Sequence, residues 1–114
     1  MEFNPEQVAA ALARFLQQDR EELIRMIERR LTLGMIIEER FKSLPHGAKA
    51  QWLVQIGIDI RIAHRARALY RAMHEHQVVR LGEESDGTPV VRLIDSGLRG
   101  KTLRELEILY EVRS

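Results

Sequence analysis

Five basic side chains recur along one short stretch of the sequence, and they are the residues best suited to bind a ligand. They are Arg61, His64, Arg65, Arg67 and Arg71. A guanidinium group presents its N–H donors in a planar fork that matches the oxygens of a phosphate or a carboxylate. The stretch therefore predicts a surface that binds an anionic partner.

The distribution of charge along the chain supports this prediction. The whole chain carries a net charge of +1, but residues 46–82 contain six Lys or Arg against two Asp or Glu, a net charge of +4. Residues 1–45 contain seven against eight, and residues 83–114 contain five against seven, giving −1 and −2. The positive charge is therefore concentrated in the middle third, which favours an acidic partner for that region.

No other group of residues indicates a reaction. The chain has no cysteine, which excludes disulfides, thiolate metal sites and cysteine nucleophiles. His74 and His76 are two positions apart and point in different directions on a helix, so we expect a solvated helix end there and no metal or cofactor. Because the chain has no nucleophile elbow, no phosphate-binding glycine loop and no carboxylate pair, we do not expect an enzyme.

Length and hydropathy indicate the number of domains and the compartment of the protein. A chain of 114 residues is long enough for one modest core, so we expect a single domain. No apolar run is long enough to span a bilayer, and the first residues, MEFNPEQ, do not resemble a signal peptide. We therefore expect a cytoplasmic protein that does not enter a membrane.

Residues 55–65, QIGIDIRIAHR, carry conflicting signals about the element that presents the arginines. Isoleucines alternate with polar residues as in a strand, yet the flanking apolar positions fit one continuous helix. A third interpretation of residues 48–76 is two helices joined by a tight turn, in which Gly57 ends the first helix and Asp59 caps the second. In this interpretation Trp52, Leu53 and Ile56 face the core from the first helix. The second helix contributes Ile62, Ala66, Leu69 and Met73.

The first 43 residues predict two N-terminal helices. Asn4 and Pro5 are typical of a helix start, and the first helix is expected to end near Gln18. Asp19 and Glu22 have the spacing of a capping box, which predicts a second helix that continues to Phe41. Gly34 interrupts the second helix and predicts a kink or a break there.

The tetrapeptide VVRL occurs at residues 78–81 and again at residues 90–93, which predicts a β-hairpin over residues 77–95. A three-residue loop at 85–87 pairs Val79 with Leu93 and Leu81 with Val91 on an apolar face. The same register sets Arg80 opposite Arg92. Opposed like charges are unfavourable, so we expect an anion or a flanking carboxylate, Glu84 or Asp95, beside them.

The last predicted element is a helix over residues 102–113. Thr102 and Glu105 have capping-box spacing, and Leu103, Leu106, Leu109 and Tyr110 are its expected buried stripe. The predicted fold class is therefore mainly α with one β-hairpin.

The order of these segments resembles a known family. WLVQIGID, IRIAHRARALYRAM, HQVVRL, GEESDGT and PVVRLIDSG look like a winged helix-turn-helix of the kind found in MarR-like transcription regulators. The resemblance covers residues 48–97 only. It implies that the second helix of the turn motif recognises DNA and that the hairpin is the wing. The DNA-binding residues it implies are Arg61, His64, Arg65, Arg67, Arg71, Arg80 and Arg92.

Two hypotheses for function follow. The first is a small sequence-specific DNA-binding regulator that contacts double-stranded DNA and pairs as a homodimer through residues 6–41 and the last helix. On this hypothesis, replacing Arg61 and Arg65 with alanine abolishes DNA binding and leaves thermal stability nearly unchanged. The alternative is a helical adaptor or inhibitor whose arginine-rich helix binds an acidic surface of a protein partner.

Overall fold

The computed structural model describes residues 2–112, which form a mainly helical fold with one two-stranded hairpin. The elements in chain order are α1 (Pro5–Ser43), α2 (Lys49–Ile56), α3 (Ile60–Glu75), β1 (Val79–Glu83), β2 (Pro89–Leu93), a short 3-10 turn (Ser96–Leu98) and α4 (Leu103–Leu109). The predicted fold class is confirmed at this level. Within residues 2–112, no helix is both long enough and apolar enough to cross a membrane.

The N-terminal region is one helix and not two, so the predicted break near Gln18 is wrong. The side chain of Asn4 accepts hydrogen bonds from the backbone N–H groups of Glu6 (2.9 Å) and Gln7 (3.4 Å), and Pro5 occupies the first turn. No proline or glycine follows before Gly34. Asp19 therefore lies inside the helix, where its weak propensity costs only a fraction of a kcal/mol, roughly 0.5 or less, and does not end it.

α1 continues through Gly34 without the predicted break, and this glycine allows a close approach to α3. A Cβ atom at this position would lie 2.1 Å from the carbonyl oxygen of Ala66 and 2.9 Å from Cβ of Tyr70. Both helices are therefore in backbone contact at this crossing, which only glycine permits.

The two-helix interpretation of residues 48–76 is confirmed, and the single-helix and strand interpretations are wrong. α2 ends at Gly57, whose φ of 76° is left-handed, and α3 begins after Asp59. Leu53, Ala66, Leu69 and Met73 are buried as predicted. Ile56 and Ile62 were predicted to face the core but are 44% and 40% exposed. They lie beside the connecting turn, Ile56 at the end of α2 and Ile62 in the first turn of α3.

The hairpin has the predicted register. Val79 pairs with Leu93, Arg80 with Arg92 and Leu81 with Val91. Gly87 supplies a φ of 87° in the loop, and the backbone N–H of Glu84 donates to the carbonyl oxygen of Thr88 over 2.8 Å. Leu81 is the exception on the apolar face. It is 47% exposed, because it lies near the loop end of the strand.

Side chains of α1 cover the outer edge of β2. The backbone N–H of Val91 donates to Oγ1 of Thr32 (2.8 Å), and that of Leu93 donates to Oε2 of Glu28 (2.9 Å). The hairpin is thereby fixed against the middle of α1. The larger core cluster lies between α1, α3, the hairpin and α4.

The C-terminal helix is shorter than predicted. Thr102 and Glu105 form the predicted capping box, but the helix ends at Leu109, and Glu111 has a positive φ of 57°. Leu106 is fully buried, whereas Leu109, predicted to be buried, is the last residue of the helix and is 53% exposed. Arg113, within the predicted range, lies outside the described residues.

Candidate nucleic-acid interface

Two sets of local hydrogen bonds form the turn between α2 and α3. The backbone N–H groups of Gly57 and Ile58 donate to carbonyl oxygens of Val54 (3.1 Å) and Leu53 (3.0 Å), which closes α2. Asp59 then accepts the backbone N–H of Arg61 over 2.8 Å and caps α3. The side-chain and backbone hydrogen bonds from Arg61 lower the pKa of Asp59 below its ordinary value. The turn thus fixes the direction in which α3 leaves α2.

The outer side of α3 carries two exposed arginines and a histidine. Arg61 lies in the first turn, and its side chain is 87% exposed; its guanidinium is 3.4 Å from the half-exposed carboxylate of Asp59. His64 is exposed one turn later, with its ring edge-on to Phe41 at 6.5 Å between centroids. Arg71 follows two turns on, with 59% of its side chain exposed. These three side chains are available to a partner.

Arg65 points inward, to α4. Its Nε and Nη2 donate to the two carboxylate oxygens of Glu107 over 2.8 and 2.7 Å, in a bidentate pair. Glu107 is only 3% exposed. Hydrogen bonding and attraction to Glu107 raise the pKa of Arg65 further above its ordinary value. Arg65 therefore connects α3 to α4, and the expectation that its removal leaves stability unchanged is not supported by this geometry.

Arg67 is held by α1. Its Nε donates to Oε2 of Glu38, and its guanidinium lies 5.2 Å from the ring centroid of Phe41. Glu38 also faces the guanidinium of Arg71 at 3.8 Å, and the carboxylate is only 15% exposed. One acidic side chain of α1 thus compensates part of the charge of two arginines.

The two hairpin arginines differ in their ion-pair partners. Arg92 faces Glu84 at 3.5 Å and Glu28 at 3.9 Å. Of the two carboxylates predicted for this place, Glu84 is confirmed. Asp95 instead accepts the backbone N–H of Gly97 over 2.8 Å. Arg80 is exposed and makes no ion pair within residues 2–112.

The seven predicted contact residues therefore fall into two groups, four that are accessible to a partner and three that are held by carboxylates of the chain. Arg61, His64 and Arg71 share the outer side of α3, and Arg80 is open on the hairpin. Three others are held by carboxylates of distant elements: Arg65, Arg67 and Arg92.

Sequence reasoning missed the partners Glu28, Glu38 and Glu107, because each is distant in sequence from the arginine it holds. A signal was present for one of them. Glu107 lies four residues after Leu103, on the side of α4 that faces the core, and a carboxylate on such a side is expected to be paired.

The histidines at the end of α3 make local contacts. The ring of His74 stacks on Tyr70 at 5.4 Å, and Nδ1 of His76 lies 2.7 Å from the carbonyl oxygen of Ala72. No three His, Asp or Glu side chains within the described chain group as a metal ion requires.

Compared with known proteins, the chain matches no protein-family model, no curated protein and no solved structure. The winged helix-turn-helix assignment therefore stays a prediction, and the arguments for function are those of the residues themselves.

Proposed function

We propose that this protein is a small DNA-binding regulator that contacts duplex DNA with the outer side of α3. The observation that carries the proposal is the exposed first turn of α3, which follows a glycine-ended, aspartate-capped turn. In helix-turn-helix proteins the residues near the start of the second helix reach base edges, while phosphate contacts fix the register. Arg61 and His64 occupy these places.

The contacts differ in their expected role. Arg61 and His64 are the candidates for base contacts, because they begin the helix and are exposed. Arg71, further along the same side, and Arg80, on the hairpin, are the candidates for phosphate contacts. Arg65, Arg67 and Arg92 support these elements from within, because carboxylates of the chain already hold them.

The hairpin loop itself is not expected to contact phosphate. Glu83 and Glu84 precede the loop and Asp86 lies in it, so its charge is negative. Phosphate is repelled by such a group, which places the DNA nearer to Arg80 than to the loop.

The test is fluorescence anisotropy of a labelled random-sequence duplex, titrated with the wild-type protein at low and moderate salt. Binding that weakens steeply as salt rises supports phosphate contacts, because arginines displace counterions from DNA. Arg71→Ala, which removes a candidate phosphate contact on the outer side of α3, should weaken binding to this duplex and reduce the salt slope by about one. No binding at the lowest salt overturns the proposal.

The matched control is Arg104→Ala, which removes the same charge from an exposed position of α4. It should leave DNA binding within about twofold of wild type. An equal loss in both variants would mean that net charge, and not the outer side of α3, determines binding.

One observation favours the alternative, an adaptor that binds an acidic protein surface. Protein carboxylates already hold three arginines of this region, Arg65, Arg67 and Arg92. The exposed arginines are therefore suited to carboxylates of a partner as well. Under this alternative the duplex does not bind, and Arg61→Ala weakens a salt-sensitive complex with an acidic protein.

A further inference from the structure

A cavity of about 140 Å³ lies between α1, α3 and α4, on the inner side of α3. Aliphatic side chains form much of its wall: Ile62, Ala66 and Leu69 from α3, and Leu103 from α4. Ala66 and Leu69 are buried, whereas Ile62 is 40% exposed. The cavity therefore has an apolar interior and is partly open to solvent.

Three charged side chains complete the lining: Arg30 from α1, Arg65 from α3 and Glu107 from α4. Arg65 uses its Nε and Nη2 for the bidentate pair with Glu107, so its Nη1 makes no hydrogen bond within residues 2–112. Arg30 is half-buried and makes no ion pair with any carboxylate of the same residues. The carboxylate of the lining is thus already paired, and the guanidinium of Arg30 is left without an anion.

The charge of the lining favours a singly charged anion. Two arginines and one glutamate give a net charge of +1. The adjoining groove at the turn before α3 adds Arg29 and Asp59, and Asp59 is already paired with Arg61 at 3.4 Å. The flanking charges therefore keep the region positive. A doubly charged phosphate would exceed the charge of the lining and would be repelled by Glu107.

The size of the cavity restricts the ligand. An engineered protein cavity of roughly 150 Å³ binds benzene, so a cavity of this size holds about six non-hydrogen atoms. Butanoate has this number of non-hydrogen atoms. Its alkyl carbons would leave water for an aliphatic wall, which is favourable.

We propose that this cavity binds a short aliphatic carboxylic acid such as butanoate. The guanidinium of Arg30 holds the carboxylate, with Nη1 of Arg65 as a second donor, and the alkyl chain packs against Ile62 and Leu103. A guanidinium matches the two oxygens of a carboxylate and binds it more strongly than a neutral donor does. The ligand thus supplies Arg30 with the anion that the described chain does not.

A titration followed by nuclear magnetic resonance tests the site. Isotope-labelled wild-type protein is titrated with sodium butanoate at constant ionic strength, with sodium chloride as the salt replaced. We expect saturable changes in amide chemical shift with a dissociation constant on the order of 1 mM, as is usual for so small a ligand. The largest changes should fall on residues of the cavity, Arg30, Ile62, Leu103 and Glu107.

A neutral ligand and a pair of variants test the role of the charge. Butanamide has the shape of butanoate without its charge, and it should bind at least about tenfold more weakly, the effect of losing one charged hydrogen bond. Arg30→Gln should weaken butanoate binding by about the same factor. The matched control is Arg20→Gln, which removes the same charge from an exposed position of the same helix, away from the cavity, and should leave binding nearly unchanged.

The wild-type titration decides the proposal even if a variant does not fold. It is overturned if no shift saturates, if the shifts centre on residues outside the cavity, or if butanamide binds as well as butanoate. Equal binding by a folded Arg30→Gln, or equal loss in both variants, also overturns it. The experiment contains no DNA, so its result is independent of the proposed contacts on the outer side of α3.

Discussion

The two halves of α1 form one helix, yet they have opposite environments. Residues 5–22, the free arm of α1, are exposed almost throughout, whereas the half from Leu23 to Ser43 contributes six buried residues to the body of the molecule. Both halves carry apolar stripes of similar spacing. The comparison shows that an amphipathic pattern specifies a helix and its apolar side. Whether that side is buried depends on which other elements pack against it.

Breaking the packed half at Gly34 should have the largest effect. Gly34→Ala places a Cβ 2.1 Å from the backbone oxygen of Ala66, so the helices must separate. We expect a loss of more than about 3 kcal/mol in the free energy of unfolding, measured with urea, above the usual cost of overpacking because the added Cβ meets backbone atoms. The counterpart in the free arm is Ala10→Leu, which adds more volume at an exposed position and should change the free energy by less than about 0.5 kcal/mol.

Truncating one leucine in each half compares the two environments directly. Leu31 is fully buried and Leu12 is 55% exposed. Leu31→Ala should cost about 3 kcal/mol in urea unfolding, because it removes transfer energy and leaves a cavity. Leu12→Ala should cost less than about 0.5 kcal/mol. Equal costs would contradict the assignment of the arm as free.

Arg65 and Arg20 extend the comparison to charged residues. Arg65→Ala leaves the buried carboxylate of Glu107 without its bidentate partner, so it should lower the urea midpoint clearly, though less than Leu31→Ala does. Arg20→Ala removes an exposed side chain of the free arm and should leave the midpoint unchanged. If Arg65→Ala also leaves the midpoint unchanged, the pair with Glu107 does not hold α4 in place.

The smallest expected effect concerns the cap of α4. The hydrogen bonds from Thr102, the backbone one first, lower the pKa of Glu105 below its ordinary value. Because the pKa is lower in the folded state, the carboxylate stabilises the fold above the ordinary pKa and loses this contribution as pH falls through the folded-state pKa. Urea midpoints of wild type and Glu105→Gln should therefore differ slightly at neutral pH and converge as pH falls below the ordinary pKa of glutamate and through the lower folded-state pKa. A difference that persists at low pH would contradict the role of the carboxylate.

Local sequence signals predicted the capping and turn residues at which several elements start or end. The proline after Asn4, the glycine at 57, the aspartate at 59 and the threonine at 102 act within a few residues, and all are confirmed. The hairpin register was also predictable, because a three-residue loop and a period of two leave one pairing that puts the apolar residues on one side.

Local signals failed where competing local interactions have similar strength. Asp19 and Glu22 have capping-box spacing, but the helix passes through them, because a continuous helix without glycine or proline satisfies the same backbone groups. Gly34 was interpreted as a kink or a break, but the helix continues through it and the glycine admits the backbone of α3. That role depends on a residue 32 positions away, which no local pattern contains.

The sequence by itself determined which segments are helical, the caps at Asn4, Asp59 and Thr102, the turn before α3 and the pairing of the hairpin. Each depends on contacts between near neighbours in the chain. Only the tertiary structure decided which arginines remain open and which part of α1 remains uncovered. Arg61 and Arg65 are identical in type and one helical turn apart, yet the first faces solvent and the second binds Glu107 on α4. The reason is that ion pairing and burial depend on elements brought together from distant parts of the chain.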